Sequence, residues 1–300
     1  MGSWNGWGIV VIGAVCTGGL LTACVAPPLT DAEGDPAAPD SATIAPWLPV
    51  THRTYELPQT TVEVVLVPPA AERRVAVAVV DALTPLAAIA DSTGAIAAIN
   101  AGFFDPQNGL TTSYVTVDGA IVADPTHNDR LMTNPDLQAY LPAILNRSEF
   151  RIYDCQGSAR YDITPHTDPT PEGCTLAEAV GAGPQLLPVM TGAAEGFWTE
   201  DSGRDVLGRT TPNARSAVGI KADGTVVWAI ATQRLDEATP TGMTLAEMAD
   251  FLTELGVQKA LNLDGGSSTG LYFEGQTYPG RWNADNSPVE RPIKSILLVQ

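Results

Sequence analysis

The sequence predicts an α+β fold built on a mixed, mainly antiparallel sheet with a few packed helices, in a single domain. Residues 113–123 and 214–232 each surround an Asp-Gly turn between two β-branched runs, which is typical of antiparallel hairpins. Strand patterns outnumber helix patterns, and they do not alternate with helices as a βαβ series would. Hydrophobic residues make up 44% of the 300 residues, which supplies enough apolar material for a core.

Each element follows from a local pattern. The predicted strands cover residues 61–67, 75–80, 96–99, 113–117, 120–123, 214–220, 225–232, 260–263 and 293–299. Thr244 and Glu247 form a capping-box pattern, apolar residues follow at helical spacing, and Gly256 ends this predicted helix. Residues 84–90 could form a short second helix.

The start of the chain resembles a targeting segment. Residues 1–24 predict a lipoprotein-type signal peptide, because an apolar stretch leads into Leu-Thr-Ala-Cys with Cys24 as the lipidated first mature residue. The segment before that stretch carries no Lys or Arg, so an ordinary cleaved signal and a short anchor remain alternatives. All three place the protein outside the cytoplasm, either lipid-anchored to the membrane or secreted. Residues 25–50 predict a disordered Pro/Ala-rich tether, and residues 51–300 form the domain.

Charge excludes one class of partner. The 16 basic and 34 acidic residues give a net charge of −18, which repels polyanions and argues against nucleic acid. An anionic ligand must therefore be held by a few local donors against the overall field. Only 3 His are present, and we expect no metal site built on them.

Four cysteines divide into two groups. Cys16 lies in the signal segment and Cys24 is the predicted lipid acceptor. Cys155 and Cys174 remain, and in an oxidising compartment they are expected to form a disulfide that closes a loop rich in Pro, Thr and Asp. A metal site there would lack partners, since the chain has no Cys-x-x-Cys.

The segment 260–270 combines a carboxylate with an anion-binding turn. Asp264 ends a predicted strand, and two glycines after it allow a tight turn whose amides can face a ligand. Hydroxyl groups add further donors; the predicted binding groups here are Gly265, Gly266, Ser267 and Ser268. Such a segment is either a site that orients water beside an oxyanion or a common turn between strands.

Residues 266–270 also match the Gly-x-Ser-x-Gly nucleophile elbow. That motif requires a helix after the serine, whereas the following residues predict a strand and a turn. The α/β-hydrolase order also requires a later histidine, and the last histidine is His166. We therefore do not expect a catalytic triad.

Asn100 ends another predicted strand and is followed by Gly102 and two phenylalanines. Its amide can donate and accept, and Phe103 could exclude water from a site; the alternative is a β-turn with buried aromatics. Asp105 and Asn108 could offer oxygens to a Ca²⁺ ion or cap the turn, and the sequence favours the cap. No cofactor is required by this interpretation.

Arg215 begins a predicted strand with small neighbours, where its guanidinium could bind a phosphate or carboxylate in bidentate fashion. The alternative is a salt bridge with one of the many acids. In the hairpin, the partner strand runs back toward Arg234, which brings both arginines to the same sheet end. Their convergence in an acidic chain favours a local anion site.

Four motifs in order resemble the phosphodiester glycosidase domain family, whose bacterial members are often described as exopolysaccharide-related proteins. They are residues 100–104, 180–187, 215–219 and 263–268, and the resemblance covers residues 61–299. It implies cleavage of a sugar-1-phosphodiester, with a sugar-phosphate or cell-envelope polysaccharide as the substrate. Asp264 would be nucleophile or general base, Arg215 and the glycine-serine turn would hold the phosphate, and Asn100 would orient the sugar or the water.

Two other classes of function stay open on the sequence alone. A surface-anchored module that binds sugar phosphates without cleaving them fits the anchor and the tether equally well. A Ca²⁺-stabilised structural protein is the third option.

Overall fold

Runs of β-branched and small apolar residues after residue 50 form three antiparallel sheets. The structure is a computed structural model, which describes residues 47–69, 71–201, 203–235 and 240–300. All of these belong to the unit Pro46–Gln300. The predicted signal peptide, Cys24 and residues 25–46 of the predicted tether lie outside the described residues. Within the described ranges, no helix is long and apolar enough to cross a membrane.

The strands are numbered in chain order. They are β1 (Thr51–Leu57), β2 (Thr60–Val67), β3 (Val75–Thr84), β4 (Ala97–Asn100), β5 (Val115–Val117), β6 (Ala120–Ala123), β7 (Ser148–Cys155), β8 (Ser158–Pro165), β9 (Thr175–Gly181), β10 (Gln185–Leu187), β11 (Arg215–Lys221), β12 (Val226–Ala231), β13 (Gln233–Arg234), β14 (Val257–Asn262), β15 (Gly270–Phe273), β16 (Gln276–Pro279), β17 (Arg281–Trp282) and β18 (Ile293–Val299).

Helices are short and fewer. They are α1 (Leu86–Thr93), α2 (Asp129–Met132), α3 (Leu141–Ile144) and α4 (Leu245–Glu254), with 3₁₀ turns at Pro125–His127 and Gly266–Ser268. The mainly antiparallel architecture with few helices is confirmed, and the described chain is richer in strand than the α+β class implies.

The first sheet has the order β1-β2-β12-β11-β14-β10, and the second has the order β16-β15-β4-β18-β3. The third sheet has the order β6-β5-β9-β7-β8. Every pairing within these sheets is antiparallel, and the short pair β13–β17 is the one parallel pairing among the described residues.

One core joins the three sheets. Trp228 from the first sheet, Ile99 from the second and Phe150 from the third are fully buried in the same cluster. The outer face of the first sheet packs against Met248 and neighbouring residues of α4, and the outer face of the second packs against Ile89 of α1. Burying a large apolar side chain contributes roughly 1.5–3 kcal/mol, so this shared core fixes how the sheets meet.

The local turn signals gave correct elements. Asp118 and Gly119 both have positive φ (51° and 74°), as a two-residue hairpin turn between β5 and β6 requires. Thr244 and Glu247 form both hydrogen bonds of the capping box at the start of α4. The possible second helix is present as α1, which ends at Gly94 in the left-handed conformation.

The segment between the two cysteines differs from expectation. Cys155 and Cys174 do form a disulfide, but the intervening residues are not only a loop, because the whole of β8 lies there and pairs along β7. No sequence pattern predicted β1, the half-exposed edge strand of the first sheet.

We expect the disulfide to stabilise this hairpin by restricting the unfolded chain. Replacing Cys155 and Cys174 with serine should lower the free energy of unfolding by about 3 kcal/mol, as measured by urea denaturation. Wild-type protein unfolded in a reducing buffer is the control and should match the double variant. Equal stability of wild type and variant under oxidising conditions would contradict this role.

Candidate functional site

The Asp-Gly-Gly-Ser-Ser turn lies where the first and second sheets meet. The Asp264 amide donates to Ala101 O at 2.9 Å, which ties the turn to the segment after β4. The Gly266 amide donates to Ala214 O at 2.8 Å, just before β11. A Cβ on Gly265 would approach that same carbonyl to 3.1 Å, and Gly266 has a φ of +61°. Glycine is therefore favoured at position 265 by the close approach of that carbonyl, and at position 266 by the left-handed backbone conformation.

Asn100 holds the turn through its side chain. Its Nδ2 donates to the backbone oxygen of Asp264 at 2.5 Å, and its Oδ1 accepts from Ser216 Oγ at 2.7 Å and from Gly270 N at 3.1 Å. Asn100 is 1% exposed. Because its amide is engaged on both sides, the geometry makes Asn100 a residue that positions Asp264, and not the ligand-facing group that we expected.

The Asp264 carboxyl is partly accessible and strongly desolvated. Burial raises its pKa to about 6, against the lowering effects of the Ser268 hydroxyl, the Arg291 charge and the Gly265 amide. A carboxyl with a pKa near neutrality can both accept and release a proton under ordinary conditions. No other carboxylate is among the groups in the described chain that shift this pKa.

Two arginines flank the turn, and we call them the first arginine pair: Arg281 and Arg291. Arg291 donates from Nη1 to Ser267 Oγ at 2.9 Å, and its guanidinium lies 5.1 Å from the centre of the Phe104 ring. Arg281 donates from Nη2 to Asn213 Oδ1 at 2.6 Å. Burial lowers the pKa of Arg281, and the charge of Arg291 lowers it further, so the two cations feel one another.

Several donors at this turn have no hydrogen-bond partner within the described ranges. They are Ser268 Oγ, Thr269 Oγ1 and Arg281 Nε, all buried atoms. Although Ser268 lowers the pKa of Asp264, its hydroxyl does not reach a well-aligned hydrogen bond with it. Unsatisfied buried donors cost free energy, and an anionic ligand would satisfy them. A crevice of about 60 Å³ lies beside the end of the turn, lined in part by Ser267, Ser268 and Arg291 but not by Asp264.

Phe103 and Phe104 contact different parts of the site. Phe104 is buried and lies under Arg291. Phe103 is partly exposed, and its ring centre lies 5.7 Å from that of Phe197. The aromatic pair after Asn100 thus supports one cation of the site and provides an apolar surface next to it.

Arg215 is placed differently from our expectation. Its guanidinium is buried and donates to four backbone carbonyls, those of Met243, Leu207, Gly208 and Thr211. Burial lowers its pKa to about 10, so it stays charged at neutral pH. With its donors used inside the protein, Arg215 fixes residues 207–211 against β11 and does not present its charge to a ligand.

Arg234 does follow β12 at the sheet end where Arg215 begins β11, as the hairpin predicts. It lies in β13 beside Trp282, and its Nη2 donates to Asn286 Oδ1. The structure therefore brings Asp264, Gly265, Gly266, Ser267 and Ser268 together with the first arginine pair. Arg215 of β11 and Arg234 of β13 instead donate to residues of the surrounding loops.

The oxygens considered for Ca²⁺ cap a turn. Asp105 accepts from Gln107 N at 2.8 Å and from Arg130 Nε at 2.7 Å, and Asn108 Oδ1 accepts from Leu110 N at 2.9 Å. In the described part of the chain, no group of three or more His, Cys, Asp or Glu residues could hold a metal ion.

Arg281 and Arg291 were missed by sequence reasoning. Lys and Arg number only 16, and these two follow the Asp264 motif beside Gly280 and Pro292. Because cations are scarce in this chain, the presence of two arginines soon after the Asp264 motif was the available signal for a cationic site. A cavity of about 580 Å³ between the β1–β2 turn and α4 is lined by neither arginine.

A single carboxyl poised near neutrality, beside a glycine turn and two arginines, is typical of hydrolases whose substrates carry an anionic group. The chain belongs to the phosphodiester glycosidase family, whose family model matches residues 93–300, more than half of the chain. No curated protein sequence matches it.

Solved structures share the fold. The catalytic domain of zebrafish N-acetylglucosamine-1-phosphodiester α-N-acetylglucosaminidase, described as auto-inhibited by its pro-peptide, aligns with a TM-score of 0.63 and 17% identity over 86% of this chain and 85% of that chain. A hypothetical protein from Synechocystis aligns with a TM-score of 0.55 and 19% identity over 83% of this chain. The alignment covers only 61% of the Synechocystis protein. A putative exported protein from Burkholderia pseudomallei aligns with a TM-score of 0.56 and 15% identity over 80% of this chain and 74% of that chain.

The raised pKa of Asp264 predicts a pH-dependent cost to stability. Between pH 3.8, the ordinary pKa, and about 6, the folded protein keeps a proton that the unfolded chain has released, so stability falls as the pH rises through this window. Asp264→Asn does not titrate. The free energy of unfolding of Asp264→Asn, relative to that of wild type, should therefore increase by about 2 kcal/mol between pH 4 and pH 7.5. This value is smaller than the full pKa shift would give, because the carboxyl is partly hydrated.

Urea denaturation of both proteins at the two pH values measures this difference. All other titrating groups are common to both proteins, so they cancel. Parallel stability profiles for wild type and Asp264→Asn would contradict a desolvated Asp264.

Proposed function

We propose that this protein is an extracytoplasmic hydrolase that cleaves a sugar-1-phosphodiester, in a cell-envelope or exopolysaccharide context. Family membership supports a hydrolase of this kind. The observation that carries the proposal is the Asp264 carboxyl, with its pKa near 6, beside the Arg291–Ser267 contact.

The chemistry suits one carboxyl. Ordinary glycosidases use a second carboxylic acid to protonate a poor alkoxide leaving group. A phosphate monoester leaves as a stabilised anion and needs donors more than it needs a proton. In the reaction, water is added across the bond between the anomeric carbon and the phosphate oxygen, which releases free sugar and a phosphomonoester.

Asp264 acts as nucleophile or as general base toward water, and its pKa near 6 leaves much of it ionised at neutral pH. Arg281 and Arg291 stabilise the departing phosphate, replacing Arg215 in the role expected from the sequence. The hydroxyls of Ser267 and Ser268 add further donors to the same phosphate. The amides expected from the sequence are engaged inside the protein, that of Gly266 with Ala214 O and that of Gly265 with the Asp264 carboxyl.

Two neighbours complete the proposed site. Asn100 contributes by holding the Asp264 backbone, since its amide is engaged with Asp264, Ser216 and Gly270. Phe103 offers a partly exposed ring on which the sugar packs.

The extracytoplasmic location rests on residues 1–24 and on the Cys155–Cys174 disulfide, since disulfides persist in oxidising compartments. Lipidation of Cys24 would attach the domain to the membrane through residues 25–50. The proposed lipid anchor, unlike the disulfide, is supported by the sequence pattern alone.

Asp264→Asn should abolish turnover of a synthetic glycosyl-1-phosphodiester, lowering kcat/KM by about 1,000-fold because the proton acceptor or nucleophile is lost. Phosphorus NMR follows conversion of the diester to the monoester. Wild-type rates in the variant would rule out this assignment. A diester that binds wild type but stays unchanged would instead indicate the sugar-phosphate binding module.

Arg291→Ala should lower kcat/KM for the same diester by about 100-fold, because a donor to the departing phosphate is removed. Cleavage of a neutral aryl glycoside, which has no phosphate, should not depend on Arg291. Arg53→Ala removes an exposed arginine of β1 and serves as the matched control. An equal loss in the Arg53 and Arg291 variants would show that overall charge, and not this contact, matters.

A further inference from the structure

A second arginine pair, Arg147 and Arg204, converges on the loop after β10. Arg147 lies just before β7 and donates from Nε to Glu195 O at 3.2 Å. Arg204 donates from Nε to Gly196 O at 3.2 Å. Two guanidinium groups, distant in sequence, are thus attached in the same way to neighbouring carbonyls of one loop.

Aromatic rings orient both groups. The guanidinium carbon of Arg147 lies 3.7 Å from the ring centre of Phe197 and 5.8 Å from that of Phe103. The guanidinium carbon of Arg204 lies 4.3 Å from the ring centre of Tyr140. An arginine held by its Nε and stacked on a ring presents both Nη atoms as a rigid fork, the geometry that binds phosphate or carboxylate in bidentate fashion.

These forks are not used inside the described protein. Neither arginine is in an ion pair there, and neither has an Nη hydrogen bond there. Arg215 is the contrast, because its Nη atoms bind three carbonyls. The second arginine pair therefore has donor capacity left for a ligand.

The charge near this pair is incompletely balanced. Glu195 acts on Arg147 at a distance, but its oxygens already accept from Ser148 and from the Gln185 amide. Burial lowers the pKa of Arg147 to about 10, and the charge of Arg204 lowers it further. One buried carboxylate thus faces two partly buried cations, and an incoming anion would relieve their repulsion.

The pair lies next to the proposed active site along two routes. Phe103, which contacts Arg147, is three residues from Asn100, a span of at most roughly 10 Å. The second route runs through Asn262, which lies two residues before Asp264 and donates from Nδ2 to Gly183 O at 2.8 Å. Gly183 packs against the Phe197 ring, over which the Arg147 guanidinium lies.

We propose that Arg147 and Arg204 form a second anion subsite, which binds a further anionic group of a glycan whose phosphodiester lies at Asp264. The inference rests on the proposed function and deepens it, since it makes the substrate a polyanionic glycan and not an isolated sugar phosphodiester. Either a second phosphodiester or a uronate carboxylate has the required chemistry.

Binding measurements test the subsite without turnover. In Asp264→Asn protein, isothermal titration calorimetry compares glycosyl-phosphate oligomers of one sugar that contain one or three phosphodiesters. We expect the longer ligand to bind at least about 10-fold more tightly. Additional Arg147→Gln and Arg204→Gln substitutions should reduce this ratio to about one. A uronate oligomer of equal charge forms a second arm that identifies which anion the subsite prefers.

Arg209→Gln in the same background is the matched control, because Arg209 also lies over an aromatic ring, that of Trp198, but is paired with Glu200 at 2.9 Å. It should keep the full length preference. Arg147→Lys and Arg204→Lys retain the charge but lose the fork, and they should give an intermediate ratio if the glutamine variants fail to fold.

Equal binding of short and long ligands by the Asp264→Asn protein, or a length preference that survives in both the glutamine and lysine variants, would overturn the subsite. The proposed function fails separately, if wild type converts none of these diesters in phosphorus NMR. A length preference that depends on the second arginine pair supports the subsite in either case.

Discussion

The Asn100 side chain is the contact on which the rest of this site depends. It lies at the end of β4 in the second sheet and reaches Ser216 in β11 of the first, the Asp264 backbone and the first residue of β15. A buried amide that makes three hydrogen bonds to distant segments favours one arrangement of these neighbours, because an altered register would leave polar atoms unpaired. The position of the carboxyl is therefore set by the same hydrogen bonds that join two sheets.

The contrast between Arg215 and Arg291 shows what the sequence could and could not predict. Hairpin turns, the capping box of α4 and the strand delivering Asp264 depend on residues close in sequence, and these were predicted correctly. Which arginine faces Asp264 depends on distant loops, since carbonyls of residues 207–211 occupy Arg215 while Arg291 meets Ser267. The β7–β8 hairpin was missed because its mixed polar residues do not alternate cleanly.

Acidic composition and anion recognition are compatible because cations are concentrated. The chain has a net charge of −18, yet two pairs of arginines lie on either side of the Phe103–Phe104 segment, close enough that one member lowers the pKa of the other. Aromatic rings hold three of these cations, Arg147, Arg204 and Arg291. The hydrogen bonds of both pairs go to backbone carbonyls or uncharged side chains, which do not neutralise them.

The order of strands in the second sheet has a consequence for how the protein is made. An inner strand, β18, pairs with β3 on one side and β4 on the other, although it is the last described strand in the sequence. A nascent chain that has been synthesised only as far as α4 still lacks β18, the strand that joins β3 to β4. Such distant pairing slows folding, and the second sheet can be completed only after β18 has been synthesised.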